Sequence, residues 1–391
     1  LEAFEEYFDH LTPRGILNVS RLEQLVGDEA IRVTVLTMAA LEARGIEDPA
    51  RHMVVVRGID SVGLHNFPYG TVLARLEPFT DAEVATIRQL ADERGDGLVF
   101  APGGPYRGAW KGLAEAPSWQ AFCTGYPLDV CPPTDDKPFF FNMRRPADVF
   151  DDDSSRYGYD VDPYQLLLVT LVVLVVLSVA GLLLPLRLAR RSDDSPPRVP
   201  SLLYFGAIGL GFMLLETVLI QRFVLFLGFP TYALSVVLFA LLVFTGVGSA
   251  LSGRIPPDRR GLVGVLAAVV ALIVVVALAL QPVLEALIGL PFAARLLVAV
   301  GLLAPLGIGL GMPMPLGLAR FSALHPRGVA YAWGVNGIAS VLASVVGVAL
   351  AINFGYEIAC LVGAGFYAGA LVHALAGRWP ERAAGDADDA D

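Results

Sequence analysis

From Tyr164 to Ala376 the sequence is a succession of apolar runs, and their length constrains the fold more than any other feature. Seven can be placed, at about 164–186, 202–227, 232–252, 262–280, 293–312, 330–351 and 358–376. Each lies near the roughly 20 residues that a helix needs to cross about 30 Å of hydrocarbon. Lipid offers no water to backbone amides, so segments of this kind satisfy themselves as helices. The chain is 55% hydrophobic and only 17% charged, against about 25% charged in soluble domains. The expectation for this part is an all-α bundle of about seven helices in the inner or plasma membrane, with the lipid bilayer as its partner. A net charge of −10 gives no footprint for nucleic acid.

Residues 1–163 are of another kind, with 27 Asp and Glu against 15 Lys and Arg, where the remainder has 11 against 13. Leu1, Phe4, Tyr7, Phe8 and Leu11 recur at helical spacing, a Thr-Pro-Arg-Gly turn follows, and Gly15–Ser20 is short and β-prone. A second helix fits Asp28 to about Arg44, ended by Gly45, and Met53–Val56 reads as a buried strand. Thr71–Leu76 reads as another strand. Thr80 and Glu83 then form a capping box that opens a helix carrying Val84, Ile87, Leu90 and Ala91. Gly97–Ala101 closes the series. This alternation predicts a sheet with helices on its faces. The Gly-rich "APGGPYRG" at 101–108 follows the last strand and so does not read as a phosphate cradle. Cys123, Cys131 and Cys360 match no zinc spacing, and no metal site is expected; Cys123 and Cys131 could pair if exported. The first residue is Leu, and no charged-then-apolar leader opens the chain, which reads as a fragment or a processed product.

The stretches "AFEEYFDHLTPRGILNVSRL" (3–22), "LEPFTDAEVATIRQLADERG" (76–95) and "PPTDDKPFFF" (132–141) together resemble the later half of the spermidine synthase-like domain of bacterial multi-pass membrane proteins. That domain is similar to polyamine aminopropyltransferases and class I methyltransferases. The resemblance continues through 214–254, "GLGMPMPLGL" (309–318) and "AWGVNGIASVLASVVG" (332–347), and covers most of the chain. It implies an α/β, partial Rossmann-like, methyltransferase-type domain over 1–101 and a Pro/Gly/Asp-rich linker over 102–163. The bundle over 164–376 and an acidic tail over 377–391 complete the chain. It implies aminopropyl or methyl transfer, with S-adenosylmethionine or its decarboxylated form as cofactor of the full-length family. In that family the Gly-rich loop, the acidic ribose ligand and the catalytic Asp lie upstream of the helix that begins here. No position of this chain matches them, so no catalytic or cofactor-binding residue carries over, and the missing N-terminal half of the α/β domain is an expected partner.

Two observations bear on a different function. Eleven of the thirteen basic residues beyond 163 follow alternate apolar runs, at 187–198, 254–260, 320–327 and 378–382. The bias of Lys and Arg to the cytoplasm then puts residues 1–163 outside, whereas adenosylmethionine is made inside. The two expectations conflict. Glu216 and Arg222 also lie within the second run, and Arg222, six residues on, is roughly 240° around a helix and cannot reach Glu216. A partner must come from another helix, among which Asn336, Ser340, Ser344 and His373 are available. The candidate intramembrane polar site is therefore Glu216, Arg222, Asn336 and His373, either a proton or substrate site or a structural bond between helices. Pro305, Pro313 and Pro315 predict a broken helix, which could expose backbone to a ligand. The rival function is thus a transporter or lipid-handling bundle with a regulatory α/β module.

Overall fold

The computed structural model describes residues 1–22, 28–62, 65–145, 148, 163–189, 199–325 and 328–376. It divides into two compact units, Leu1–Leu166 and Leu167–Asp391.

In the first unit, helix α1 (Glu2–Asp9) leads to strand β1 (Leu17–Leu22) and helix α2 (Glu29–Ala43). The hairpin β2 (Met53–Val62) and β3 (His65–Ala74), helix α3 (Asp81–Arg94) and strand β4 (Gly97–Phe100) complete the alternation. The strand order is β1-β3-β2-β4, and every adjacent pair is antiparallel. It follows that β1 and β2 run the same way, joined by α2, with β3 inserted between them. In the same manner α3 joins the co-directional β3 and β4 across β2. Parallel strands need such crossovers, and here two of them interleave. A Rossmann core has parallel strands side by side; the likeness here is confined to the crossovers.

Successive strand residues face opposite sides of the sheet, and β2 uses both. Met53 and Val55 join the core beneath α2, with Phe8, Ile31, Val35, Phe100 and Trp110. Val54 joins the smaller core beneath α3, with Phe79, Val84 and Leu98. Helix α2 is buried from Glu29 to Leu41 because its outer side is covered as well. The cover comes from the segment expected as a linker, which instead forms helices α4 (Ala109–Glu115) and α5 (Trp119–Gly125). Trp110 Nε1 donates to Thr34 Oγ1 of α2 at 3.0 Å. Cys123 and Cys131 form a disulfide. Arg32 of α2, 2% exposed, donates to the carbonyls of Cys131, Phe139, Phe140 and Asn142. The chain from Cys131 to Asn142, with the "DDKPFFF" segment in it, is thus wound around a buried guanidinium. Residues 149–162 of the expected linker lie outside the described residues.

The capping box forms as the spacing predicts: Glu83 N–H donates to Thr80 Oγ1 while Thr80 N–H donates to a Glu83 carboxylate oxygen. The same carboxylate takes two bonds from Arg75, at 2.9 and 2.6 Å. Arg75 first, and Thr80 after it, hold the Glu83 carboxyl well below the usual carboxylate range. Its folded value is therefore below its unfolded one, so the stabilisation is present above the ordinary Glu pKa and is lost as pH falls through the folded value. Amide protection at residues 80–95, taken relative to the intrinsic exchange rate at each pH, should fall as the wild type is acidified below pH of about 4. Glu83→Gln should exchange faster at neutral pH and respond less to acid; an unchanged acid response in the variant would refute the assignment.

The second unit is helical. Six segments among the described residues are long and apolar enough to cross a membrane: Leu202–Leu227, Pro230–Ser252, Arg259–Leu287, Phe292–Ala323, Val329–Phe354 and Tyr356–Leu375. They account for six of the seven expected runs. The run at 164–186 falls in helix α6 (Pro163–Ala189), where the apolar stretch with described side chains is Gln165–Gly181. The remaining helices are α7 (Val199–Leu227), α8 (Pro230–Ser252), α9 (Arg259–Leu287), α10 (Phe292–Gly311), α11 (Pro313–Leu324), α12 (Val329–Phe354) and α13 (Tyr356–Leu375). Helix α7 is central and packs against α8, α12 and α13, while α8 pairs with α10 and α9 with α13. Tail residues 377–391 and the basic residues at 190, 191, 198, 327, 378 and 382 lie outside the described residues.

Small residues set these contacts, as expected where lipid gives no hydrophobic drive between helices. The Ala339, Ala343, Gly347, Ala351 stripe of α12 is buried, and a Cβ added at Gly347 would meet Leu214 of α7 at 3.3 Å. The α8–α10 pair is closer still. A Cβ at Gly248 would fall 2.0 Å from the Ile308 oxygen, and one at Gly311 would fall 2.1 Å from the Thr245 oxygen.

Candidate functional site

The structure does not bring the four expected polar residues together. Asn336 Nδ2 donates to the Phe205 carbonyl at 3.0 Å, and Ser340 Oγ donates to the Gly209 carbonyl at 3.4 Å. Both bonds tie α12 to α7 at least a turn and a half before Glu216, and a Cβ at Gly209 would collide with Asn336. Their role is helix pairing. His373 is buried on α13, two residues before Leu375, whose carbonyl accepts from Arg259 at the start of α9. Arg222 meets α9 at Gln281, at the other end of that helix. At 1.5 Å per residue the 22 residues from Arg259 to Gln281 span about 33 Å, so His373 and Arg222 belong to opposite ends of the bundle.

Arg222 instead heads a short polar chain. It is 5% exposed and donates through Nη1 to Gln281 Oε1 at 3.2 Å. Gln281 Nε2 in turn donates to Glu285 Oε1 at 2.7 Å. At the same level Arg295, in the first turn and a half of α10, donates to the Phe226 carbonyl of α7 at 2.7 Å. Its Nε is buried and has no hydrogen-bond partner among the described residues. Arg222 and Arg295 thus lie near the same three helix ends, and Glu285 is connected to Arg222 through Gln281.

Directly beyond this cluster, toward the middle of the bundle, α7, α9 and α10 enclose an apolar cavity of about 100 Å³. Leu219, Phe223, Leu280, Val283, Leu303 and Leu306 line it. Val275 and Ala279 also line it and are exposed on the bundle surface, so the cavity opens sideways, toward where lipid would be. Leu219 and Arg222 are three residues apart on one face of α7, and Arg295 and Leu302 are seven apart on one face of α10. The charge and the cavity are therefore two levels of one seam.

Glu216 lies three residues before Leu219 and seven before Phe223, about 120° around α7 from Arg222, and is not among the residues that line the cavity. No hydrogen bond or ion pair reaches it among the described residues. The reading of Glu216 as a bond between helices therefore has no partner here. The break expected in 301–318 does occur: α10 ends at Gly311 and α11 begins at Pro313. It is closed to a ligand, however, because the backbone of α8 lies against Gly311 and Tyr204 of α7 donates to the Pro313 carbonyl at 2.7 Å.

Sequence reading passed over Gln281, Glu285 and Arg295. The signal was present, since a Gln and a Glu four apart interrupt the end of an apolar helix and face one way. What hid it was their nearness to a span end, where polar residues are ordinary. In the first unit, Asp28 has a carboxyl that burial pushes up, opposed by a hydrogen bond from Tyr126. Among the described residues no group of three or more His, Cys, Asp or Glu could hold a metal ion.

No protein-family model, curated protein or solved structure matches the chain.

Proposed function

We propose that this multi-pass membrane protein is a lipid-handling bundle whose α/β unit lies on the non-cytoplasmic side as a docking or regulatory module. The observation that carries this reading is the Cys123–Cys131 disulfide, since such bonds persist in oxidising compartments and are rare in the cytosol. It favours the same side as the distribution of basic residues does, with α6 taken as a further span. An exported unit has no supply of adenosylmethionine, which weakens group transfer as the present activity. A second reading keeps that activity: the chain would be the closing part of a spermidine synthase-like transferase whose cofactor-binding half lies upstream. The β1–α2–β2 crossover favours it, being the unit from which α/β folds are assembled.

Cysteine chemistry in intact cells separates the two. An impermeant maleimide should label Cys123 and Cys131 only after an impermeant reductant has been added, and should not label Ser192→Cys under either condition. Free, unlabelled thiols at 123 and 131 together with labelling at 192 would put the unit in the cytoplasm and restore the transferase.

A further inference from the structure

Helices α9 and α10 follow one another in the chain, yet each pairs elsewhere, α9 with α13 and α10 with α8. The apolar cavity lies in the seam left between them, floored by Leu219 and Phe223 of α7. We infer that this seam is a binding slot for one acyl chain of a bilayer phospholipid, which enters sideways and is held by its hydrocarbon alone. The inference rests on the lipid-handling reading and names the part of the lipid that is recognised.

The sequence loosens both walls of the seam at one depth. Pro282 interrupts α9 between Leu280 and Val283, and Pro305 interrupts α10 between Leu303 and Leu306, so each wall of the cavity carries a proline among its lining residues. Proline has no N–H to give to the carbonyl four residues before it. The carbonyls concerned belong to Leu278, nine residues before the end of α9 at Leu287, and to Gly301, nine after the start of α10 at Phe292. Each helix thus lacks a rung at the same level, the commonest kind of place for a helix to bend. A Cβ added at Gly301 would meet nothing within 4 Å, so α10 is bare there as well.

Chemistry selects the occupant. No polar side chain lines the cavity of about 100 Å³, and ordered water needs two to four polar partners. Left empty, the lining would forfeit dispersion contacts. Val275, 59% exposed, and Ala279 form the open rim, and the outward side of a spanning helix faces hydrocarbon. Depth agrees with a lipid chain. Phe292 lies 5.1 Å from Tyr232, and Tyr232 lies 5.8 Å from Phe229; all three rings are exposed, and such clusters mark the membrane–water interface. Leu302 follows Phe292 by ten residues, about 15 Å along the axis, which is near the middle of a hydrocarbon core of about 30 Å. The slot therefore runs through the chain region of the leaflet that borders the α9–α10 turn. Its volume takes a segment of one chain and is too small for a helix, which is about 10 Å across.

The test places the full chain in nanodiscs of phosphatidylcholine that carries a photoreactive diazirine midway along one acyl chain, and maps the adducts by peptide mass spectrometry. The seam residues Val276 and Leu302, both half-buried, should be labelled more heavily than Leu278 and Leu297, which are 57% and 74% exposed. Val283→Phe, which fills the cavity, should lower the seam adducts at least tenfold and leave those at Leu278 and Leu297 unchanged. Should that variant fail to fold, Ala279→Phe on the rim makes the same test. Phosphatidylglycerol carrying the same chain should label alike. Seam adducts no heavier than those at Leu278 and Leu297, or unchanged in the filled variant, would mean annular lipid only and would overturn the slot. A tenfold preference between the two headgroups would overturn recognition by the chain alone. Loss of the slot would leave the cysteine result standing, and an inverted topology would leave the adducts standing, so the two failures are distinguishable.

Discussion

Gly311→Val should melt well below the wild type in detergent, whereas Gly301→Ala, ten residues away on the same helix, should melt as the wild type does. Both sites look alike in sequence, as glycines in an apolar run. At Gly301 an added Cβ meets nothing within 4 Å, and alanine is the better helix former. At Gly311 it would lie 2.1 Å from the Thr245 oxygen and 2.6 Å from the Thr245 Cα. Those are backbone atoms of α8 and cannot rotate away as a side chain would. Gly307, against Phe244, and Gly248, against Ile308, lock the same pair of helices, so the strain cannot be relieved by sliding. Overpacking ordinarily costs about 1–3 kcal/mol; a backbone collision belongs at or above the top of that range. For a unit of this size that is a fall of roughly 6–12 °C in melting temperature. Equal melting of the two variants would show that α8 and α10 are not packed this closely.

The comparable change in the α/β unit is Arg32→Leu, which should lower its stability by about 3 kcal/mol or more. The guanidinium donates to four backbone carbonyls through Nε and Nη1, and stacks over the Phe140 ring at 5.5 Å. Burial lowers its pKa to about 10, which still leaves it charged at neutral pH and a strong donor. Leucine would strand those carbonyls, and each buried group left unpaired costs about 1–3 kcal/mol, though not additively. Arg32→Lys should recover only part of the loss, because an ammonium cannot spread its donors as the planar fork does. Urea unfolding followed by Trp110 fluorescence reads the effect, since Trp110 bonds to Thr34 on the same helix. A midpoint unchanged in Arg32→Leu would remove Arg32 as the organiser of residues 131–142.

What could be read from sequence follows from the range of the interactions involved. Six of the seven spans, the capping box at Thr80 and Glu83, and strands that overlap 53–56 and 71–76 are found among the described residues, because they depend on periodicity and neighbours a few residues apart. The antiparallel order of the sheet depends on pairings such as Leu17 with Ala74, about which local pattern is silent. The segment 102–145 looked like a linker because Pro and Gly interrupt it. Its burial comes from Arg32, a residue about a hundred positions earlier. Of the candidate site, Arg222 was identifiable as a charge that cannot reach Glu216, and its bond to Gln281 was not, because that residue lies 59 positions away. Asn336 was identifiable as a polar group within a span, yet its bond goes to a backbone carbonyl, an acceptor that no residue type advertises.

The break between α10 and α11 has a consequence for how the bundle can move. Pro313 and Pro315 have no N–H to give, so α11 is not aligned to α10 by a continuous ladder of bonds. It is held in part by Tyr204, whose hydroxyl donates to the Pro313 carbonyl and whose ring leaves no room for a side chain at Gly317. The joint in one chain segment has its pin in another. A displacement of α7 along its axis should therefore reach α11 directly, through Tyr204 and through Phe205 against Phe321, and not only through the helix to which α11 is attached.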